Sequence, residues 1–339
     1  MKGLMAAVVA ICAFIAPAHA QDADFYRGKT LNFYVGYEVG GAYDLYARTI
    51  GKFLGRHIPG NPQVVLSNMP GASTMVLGNF LARVAPRDGT AIGAVNSALI
   101  FDPLFAGPAS KAQFKGPEMT MISNAMSAAA VLFAWKTSGV ETLEDLKSKD
   151  LLIGAMTKTG DTYVLPAALK RILSLDRLRI VTGYPGTREA VLALERGEIM
   201  GRVWDMEGIR STRPQWLQDA SIRLIAQLAP QKSPEVPASV PLARDYIQNE
   251  EDRKALDVIS MTTLIARPYI APPGLPAERV EILRRAFMAT FADPDFLDAM
   301  QKAQANVTPM DGAAMQKAVQ DAYGLPEKTI QRIRDILAE

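Results

Sequence analysis

Three turns in the sequence combine residue types that suit an anion. Each follows a β-rich run, holds glycine or hydroxyl residues and precedes a segment with helical spacing; they span residues 36–44, 68–74 and 157–162. Glycine lets a backbone approach a ligand closely, and free N–H groups at a helix start, backed by the positive end of the helix dipole, favour a negative charge. Strand–turn–helix junctions also need glycines and caps for local reasons, so each turn has a purely structural interpretation as well.

Histidine and cysteine are too few for several kinds of catalytic or metal site. The chain has two histidines, His19 and His57, and one cysteine, Cys12. A Ser-His triad, a Cys-His pair or a histidine-based zinc site therefore lacks its residues, and neither a dinucleotide-binding nor a P-loop spacing is present. His57 follows a helical pattern, where an imidazole is predicted to cap the helix. We expect no metal and no cofactor.

Acidic residues leave one enzymatic alternative open. Asp44, Asp161 and Asp205 could serve a carboxylate-based hydrolase, because paired acids can carry out acid–base chemistry. The same three residues stand where helix caps or ligand contacts are expected, so binding without chemistry is the favoured interpretation and the chain is not predicted to be an enzyme.

The first twenty residues have the pattern of an export signal. Lys2 precedes an apolar run from Leu4 to Ile15, and Ala18-His19-Ala20 is a small-x-small cleavage site, so a signal peptide ending at Ala20 is predicted. The alternative is an uncleaved anchor, for which the apolar run is short. Cys12 lies within the signal, so the mature chain is expected to have no disulfide. The formal net charge is +2 and no basic stripe occurs, which argues against nucleic acid as a partner.

From residue 30 onward, strand-like segments alternate with segments of helical spacing, and these elements flank the three turns. Such alternation predicts an α/β fold with mostly parallel sheets. Apolar stripes after Asp44, Ser73 and Asp161 have the spacing of core-facing helices. The predicted strands are Leu31 to Val35, Val64 to Ser67, Ala91 to Val95, Leu151 to Ala155, Arg179 to Val181, Gly201 to Trp204, Leu224 to Leu228 and Met261 to Ala266.

The order of the elements predicts two domains. A strand-like segment near residues 131–133 follows a loop-rich stretch, and prolines crowd residues 230–241 before helical patterns return. We therefore expect residues 21–126 and 229–339 to form one discontinuous domain and residues 127–228 to form a second, inserted domain.

Beyond these patterns, the sequence resembles the substrate-binding receptors of the tripartite tricarboxylate transporters, also called Bug receptors. The resemblance runs from about residue 28 to the C-terminus, and it is the order and spacing of weak motifs that make it specific. The matching stretches are Val39-Gly40-Gly41 with Asp44 and Ala47-Arg48, Asn68-Met69-Pro70-Gly71-Ala72-Ser73, Ala85-Pro86-Arg87-Asp88-Gly89-Thr90, Tyr184-Pro185-Gly186-Thr187, Leu194-Glu195-Arg196-Gly197-Glu198-Ile199, Trp204-Asp205, Ser233-Pro234-Glu235-Val236-Pro237 and Ala271-Pro272-Pro273-Gly274-Leu275-Pro276.

The resemblance implies a type II periplasmic binding protein fold, with two α/β domains and a ligand cleft between them. It also implies a periplasmic receptor that captures a small organic carboxylate, such as a dicarboxylate, a tricarboxylate, an aromatic acid or an amino acid, and delivers it as a monomer to membrane transporter subunits. A sensory receptor of the same fold is the alternative. Three features depart from the family: Glu38 replaces a frequent proline, Met69 stands where arginine is common, and the loop from Thr157 to Thr162 lacks the frequent Ser-Pro-His. An inward-facing Glu38 would repel an anion unless the ligand carries a compensating positive group.

Together, the turns and the resemblance define a predicted ligand site. Backbone N–H and hydroxyl groups would hold the carboxylate, Asp44 would cap its helix, Asp205 would bind a hydroxyl or amine of the ligand, and aromatic rings would wall its body. The predicted binding residues are Tyr37, Gly40, Gly41, Asp44, Ser73, Asn96, Ser97, Thr159, Gly160, Asp161, Tyr184, Trp204 and Asp205, with Tyr43 as a further wall candidate.

Overall fold

The computed structural model describes residues 24–156, 161–184 and 186–338, without the side chains of Asp161 and Ser211. The predicted signal peptide, residues 1–20, lies outside the described residues. Within the described ranges, no helix combines the length and the apolar character needed to cross a membrane.

The first sheet contains both parallel and antiparallel pairs of strands. Its strands are β1 (Thr30–Val35), β2 (Gln63–Asn68), β3 (Ala91–Ala94), β4 (Thr120–Asn124), β10 (Pro268–Ala271) and β11 (Met310–Asp311). Their order is β11-β4-β10-β3-β1-β2. In β1, Leu31, Phe33 and Val35 are buried and alternate with more exposed residues, as a strand with one core-facing side requires. β1 is parallel to β2 and β3, so the turns after these strands meet at one edge.

The second sheet is built from the middle of the chain. Its strands are β5 (Ala130–Trp135), β6 (Leu151–Gly154), β7 (Leu178–Val181), β8 (Gly201–Asp205) and β9 (Ile222–Gln227), in the order β7-β6-β8-β5-β9. β6 is parallel to β7 and β8, whereas β5 is antiparallel to β8 and β9. The first sheet takes its strands from residues 30–124 and 268–311. The domain boundaries near residues 126 and 228 stay a prediction.

Helices cover the sheets and join the strands. They are α1 (Ala42–Leu54), α2 (Met75–Arg83), α3 (Ser97–Ala106), α4 (Asp161–Leu173), α5 (Thr187–Glu195), α6 (Met206–Thr212), α7 (Gln215–Gln218), α8 (Glu250–Leu264), α9 (Ala277–Phe291), α10 (Pro294–Lys302), α11 (Gly312–Tyr323) and α12 (Glu327–Leu337). In α1, Tyr46, Ile50 and Leu54 are buried at a spacing of four residues, which is the core-facing stripe that the sequence predicts.

The predicted strand from Met261 to Ala266 is wrong, because α8 continues to Leu264 and the strand β10 begins at Pro268. Thr262 and Thr263 favour strands by propensity, but here their hydroxyls donate to carbonyl oxygens three residues earlier in the helix, at 2.9 and 2.8 Å. Tertiary packing therefore decides the conformation of this segment, since residues on this side of α8 are buried.

Candidate ligand-binding site

A cavity of about 1790 Å³ lies between the two sheets and takes its lining from both. It is larger than the roughly 300–1,000 Å³ of a typical small-molecule site, because it continues alongside the end of α12. Many of the predicted ligand residues border this cavity. They are Tyr37, Tyr43, Ser73, Asn96, Ser97, Tyr184, Trp204 and Asp205.

The turn after β2 is held in an uncommon backbone conformation at the cavity wall. Ala72, Ser73 and Thr74 have φ angles of 45°, 50° and 72°, all left-handed. Such residues cost about 1–3 kcal/mol each unless their surroundings enforce them. Here the Thr74 hydroxyl accepts a 3.0 Å hydrogen bond from the backbone N–H of Asn96. Gly36 makes this packing possible, since a Cβ there would lie 2.6 Å from the Thr74 methyl. The turn is thereby fixed with Ala72 and Ser73 at the cavity.

The first turn of α3 borders the cavity beside this loop. Asn96 caps the helix by accepting a 2.7 Å hydrogen bond from the N–H of Ala98, and its Nδ2 donates to the Tyr37 hydroxyl at 3.0 Å. Asn96, Ser97 and Ala98 all line the cavity. The positive end of the α3 dipole therefore lies at the cavity, which suits a bound anion.

Stacked planar groups form the neighbouring wall. The rings of Tyr37 and Tyr43 are parallel with their centroids 4.1 Å apart, and the guanidinium of Arg267 lies 4.3 Å from the Tyr43 ring centroid. Burial, followed by the neighbouring Tyr43 hydroxyl, raises the pKa of Tyr37 well above its usual range, so its hydroxyl stays neutral. Arg267 also borders the cavity, and the sequence analysis missed it. No sequence motif surrounds Arg267. Its sequence neighbours therefore gave no indication that it borders a ligand cavity.

Gly40, Gly41 and Asp44 do not border the cavity, in contrast to the predicted ligand-binding role. The N–H of Gly40 donates to the Asp44 carboxylate at 2.9 Å, and that carboxylate also accepts from Arg48 at 2.7 Å and from Asn68 at 2.8 Å. Burial alone would raise the pKa of Asp44, but these hydrogen bonds more than offset it and lower the pKa. The carboxylate is therefore committed to fixing the first turn.

The helix cap at this turn also differs from the prediction. Gly41 is the N-cap of α1, and Asp44 lies within the first helical turn and bonds back to the residue before the cap. Glu38, whose orientation the sequence left open, is exposed and is not among the residues that border the cavity. The repulsion that an inward-facing Glu38 would cause therefore does not arise.

The second sheet contributes an aromatic and a charged wall. Trp204 is 8% exposed, and the Arg202 guanidinium lies 4.9 Å from its ring centroid. Asp205 follows on β8 and caps α6 by accepting a 2.6 Å hydrogen bond from the N–H of Gly208. Tyr184 and Thr162 also reach the cavity. The predicted residues Thr159 and Gly160 lie outside the described residues, and so does the side chain of Asp161.

His57 lies away from the cavity and bonds to another helix instead of capping its own. Its Nε2 is 2.7 Å from Asp293, the N-cap of α10, and Arg56 pairs with the same carboxylate. Among the residues with described positions, no cluster of histidine, cysteine and acidic side chains could hold a metal ion. Asp44 is buried outside the cavity and Asp205 borders it, so these two acids do not share one pocket.

Two α/β domains with a cleft between them define the class of two-domain solute-binding proteins. The chain belongs to the tripartite tricarboxylate transporter receptor family, whose model matches residues 48–334. The predicted family and the predicted type II periplasmic binding fold are thereby confirmed.

Solved structures support the same fold. A TctC solute-binding protein from Polaromonas matches with a TM-score of 0.69 and 16% identity, covering 92% of this chain and 99% of its own. MatC from Rhodopseudomonas palustris, solved with bound malate, matches with a TM-score of 0.57 and 18% identity, covering 91% and 99%. A second Rhodopseudomonas palustris protein, solved with adipate, matches with a TM-score of 0.58 and 15% identity, covering 91% and 96%. No curated protein matches the sequence.

Proposed function

We propose that this protein captures a small organic carboxylate in the cleft between its domains and delivers it, as a monomer, to the membrane subunits of a tripartite tricarboxylate-type transporter. The observation that carries the proposal is the joint lining of the cavity: the left-handed turn at residues 72–74 and the start of α3 on one side, and β8 with its polar residues on the other. The solved relatives that contain malate and adipate support a carboxylate as the ligand.

Ligand-driven closure follows from this lining. A ligand that contacts both domains only when the cleft is shut binds the closed form more tightly, and this differential affinity shifts the population toward closure. A membrane partner that binds the closed form would then take up the loaded receptor. Export by cleavage after Ala20 would place this cycle in the periplasm.

Thermal-shift screening of organic acids followed by calorimetry tests the proposal. An acid at 100 times its dissociation constant should add about 2.7 kcal/mol to the stability. We expect saturable binding and recovery of the acid unchanged, and formation of a product would contradict a transport receptor.

Two substitutions at one position test the anion seat at α3. Asn96→Asp keeps a good helix cap but adds a negative charge, and Asn96→Ser keeps a cap without charge. Both variants lose the amide that donates to the Tyr37 hydroxyl, and the aspartate can accept from that hydroxyl instead. We expect the aspartate variant to bind the acid at least about tenfold more weakly than the serine variant, because two like charges about 5 Å apart repel strongly in a protein cleft. Equal affinities of the two variants would contradict an anion at this helix start.

A further inference from the structure

The floor of the cleft is formed where the chain passes between the domains. Ala128 donates to the carbonyl of Thr263 at 3.1 Å, and Ala266 donates to the carbonyl of Met126, also at 3.1 Å. The next residue, Arg267, has its backbone N–H fixed by Asn124 at 2.8 Å. The main chain at Arg267 is therefore held firmly at this floor.

The Arg267 side chain has unused donor capacity in a buried position. Its Nη1 donates to the Ala266 carbonyl at 2.8 Å, and its guanidinium lies against the rings of Tyr43 and Tyr46, at 4.3 and 5.6 Å. Its Nε is buried and has no hydrogen-bond partner among the described residues, and Asp205 acts on the guanidinium through space without a hydrogen bond. A guanidinium carries five N–H donors, so the donors that these contacts leave free can bind an acceptor in the cavity.

Asp205 reaches the same floor from the other domain. It ends β8 opposite Ala130, the first residue of β5 after the crossing. One carboxylate oxygen caps α6, and the other accepts no hydrogen bond from residues whose positions are described. Burial would lower the pKa of Arg267, but the nearby tyrosines and the negative charge of Asp205 more than offset it. Asp205 and Arg267 are thus within electrostatic reach of each other without forming an ion pair.

Other charges near this floor are less suited to contact a ligand. Arg202 borders the cavity but is only 1% exposed and lies against Trp204. Glu207 does not border the cavity, and burial, followed by the charges of Asp205 and Glu235, raises its pKa. Among the residues that the structure describes, Arg267 and Asp205 are therefore the two opposite charges that a ligand at the floor would meet.

Building on the proposed function, we propose that Arg267 and Asp205 bind a zwitterion, with the ligand carboxylate on Arg267 and its ammonium group on Asp205. The guanidinium can pair a carboxylate through two parallel hydrogen bonds, and the free carboxylate oxygen of Asp205 can accept from an ammonium. The receptor then prefers an amino acid to the same acid without its amino group.

Calorimetry with matched pairs of compounds tests this preference. The pairs are alanine with propionate, aspartate with succinate, 2-aminoadipate with adipate, and phenylalanine with 3-phenylpropionate. We expect the amino acid of the best-binding pair to bind at least about tenfold more tightly than its partner, the ratio that one charge-assisted hydrogen bond gives. If the acid without the amino group binds more tightly than the amino acid, the proposal is overturned.

Variants assign the preference to the two residues. Asp205→Asn keeps the cap of α6, since asparagine is as good an N-cap as aspartate, and should abolish the advantage of the amino group while leaving the amine-free acid unchanged or tighter. Arg267→Gln should weaken both members of a pair by about 10- to 150-fold, and Arg267→Lys by less. Arg179→Gln, at an arginine whose side chain is 65% exposed and outside the cavity, is the control.

The outcomes separate this proposal from the proposed function. If the acids bind but Arg267→Gln and Arg267→Lys behave like the control, the zwitterion site is refuted and the carboxylate receptor stands. If Asp205→Asn weakens both members of a pair equally, Asp205 acts in closure of the cleft and the recognition of an amino group is refuted. If none of the compounds binds to the folded protein, both proposals fail.

Discussion

Asp257 is a buried acid whose raised pKa should make the stability of the protein depend on pH. Its Oδ2 lies 3.1 Å from Arg244, but its Oδ1 is buried without a hydrogen-bond partner. Burial raises the pKa of Asp257 to about 6, although Arg244 and Arg253 lower it in part. The usual value for an aspartate is about 3.9. The folded protein therefore holds the proton of Asp257 more tightly than the unfolded chain does.

The sign of the effect on stability follows from this difference. A group whose folded pKa is raised contributes fully below its unfolded pKa, and that contribution is lost as the pH rises through the folded value near 6. Between pH 4.5 and 7.5, Asp257 should remove about 2 kcal/mol from the free energy of unfolding. Asp257→Asn cannot titrate, so the variant should lack this loss while keeping an oxygen that can accept from Arg244.

Urea unfolding of both proteins at four pH values from 4.5 to 7.5 measures the difference. We expect the stability of Asp257→Asn relative to the natural protein to rise by about 2 kcal/mol across this range. Asp298→Asn, at an exposed residue paired with Lys302, is the matched control. Its free energy of unfolding should change with pH in the same way as that of the natural protein. If the stability of Asp257→Asn also changes with pH in the same way as that of the natural protein, the raised pKa of Asp257 is refuted.

Three further substitutions test how the walls of the cleft are held. Asp44→Ala removes the buried acceptor of three hydrogen bonds and should lower the free energy of unfolding by about 1–3 kcal/mol, measured by urea unfolding; a loss below about 0.5 kcal/mol would contradict its structural role. Gly36→Ala places a Cβ 2.6 Å from the Thr74 methyl and should weaken acid binding in calorimetry, and unchanged affinity would show that the turn can shift freely. Gly208→Ala would place a Cβ against the indole nitrogen of Trp204 and should change the Trp204 fluorescence and the acid affinity together.

The fold could largely be predicted from the sequence because its helices and strands follow simple periodicities. The stripe of Tyr46, Ile50 and Leu54 needs only a spacing of four, and the alternation in β1 needs only a spacing of two. The segment from Met261 to Ala266 was mispredicted because its strand propensity is outweighed by packing against residues distant in sequence, which no local pattern reveals.

The site was harder to predict than the fold, and Asp44 and Arg267 show why. Asp44 stands in a recognisable turn, but whether a turn's donors face a ligand or its own carboxylate depends on side chains such as Arg48 and Asn68, which approach from elsewhere. Arg267 acquires its surroundings from Tyr43 and Asn124, which lie far away along the chain. When the role of a residue depends on such long-range contacts, the residues next to it in the sequence do not reveal that role.

Two exceptions to local rules lie at the same cavity. Three successive residues without glycine, Ala72 to Thr74, adopt left-handed angles beside the cavity, and the unpartnered buried Nε of Arg267 lies at its floor. Both features cost free energy that a protein selected for stability alone would avoid, since either could be removed by substitution. A sequence tends to break the rules of its own fold where function requires it. The turn and the arginine come from separate parts of the chain, so their convergence on one cavity is independent support for a ligand there.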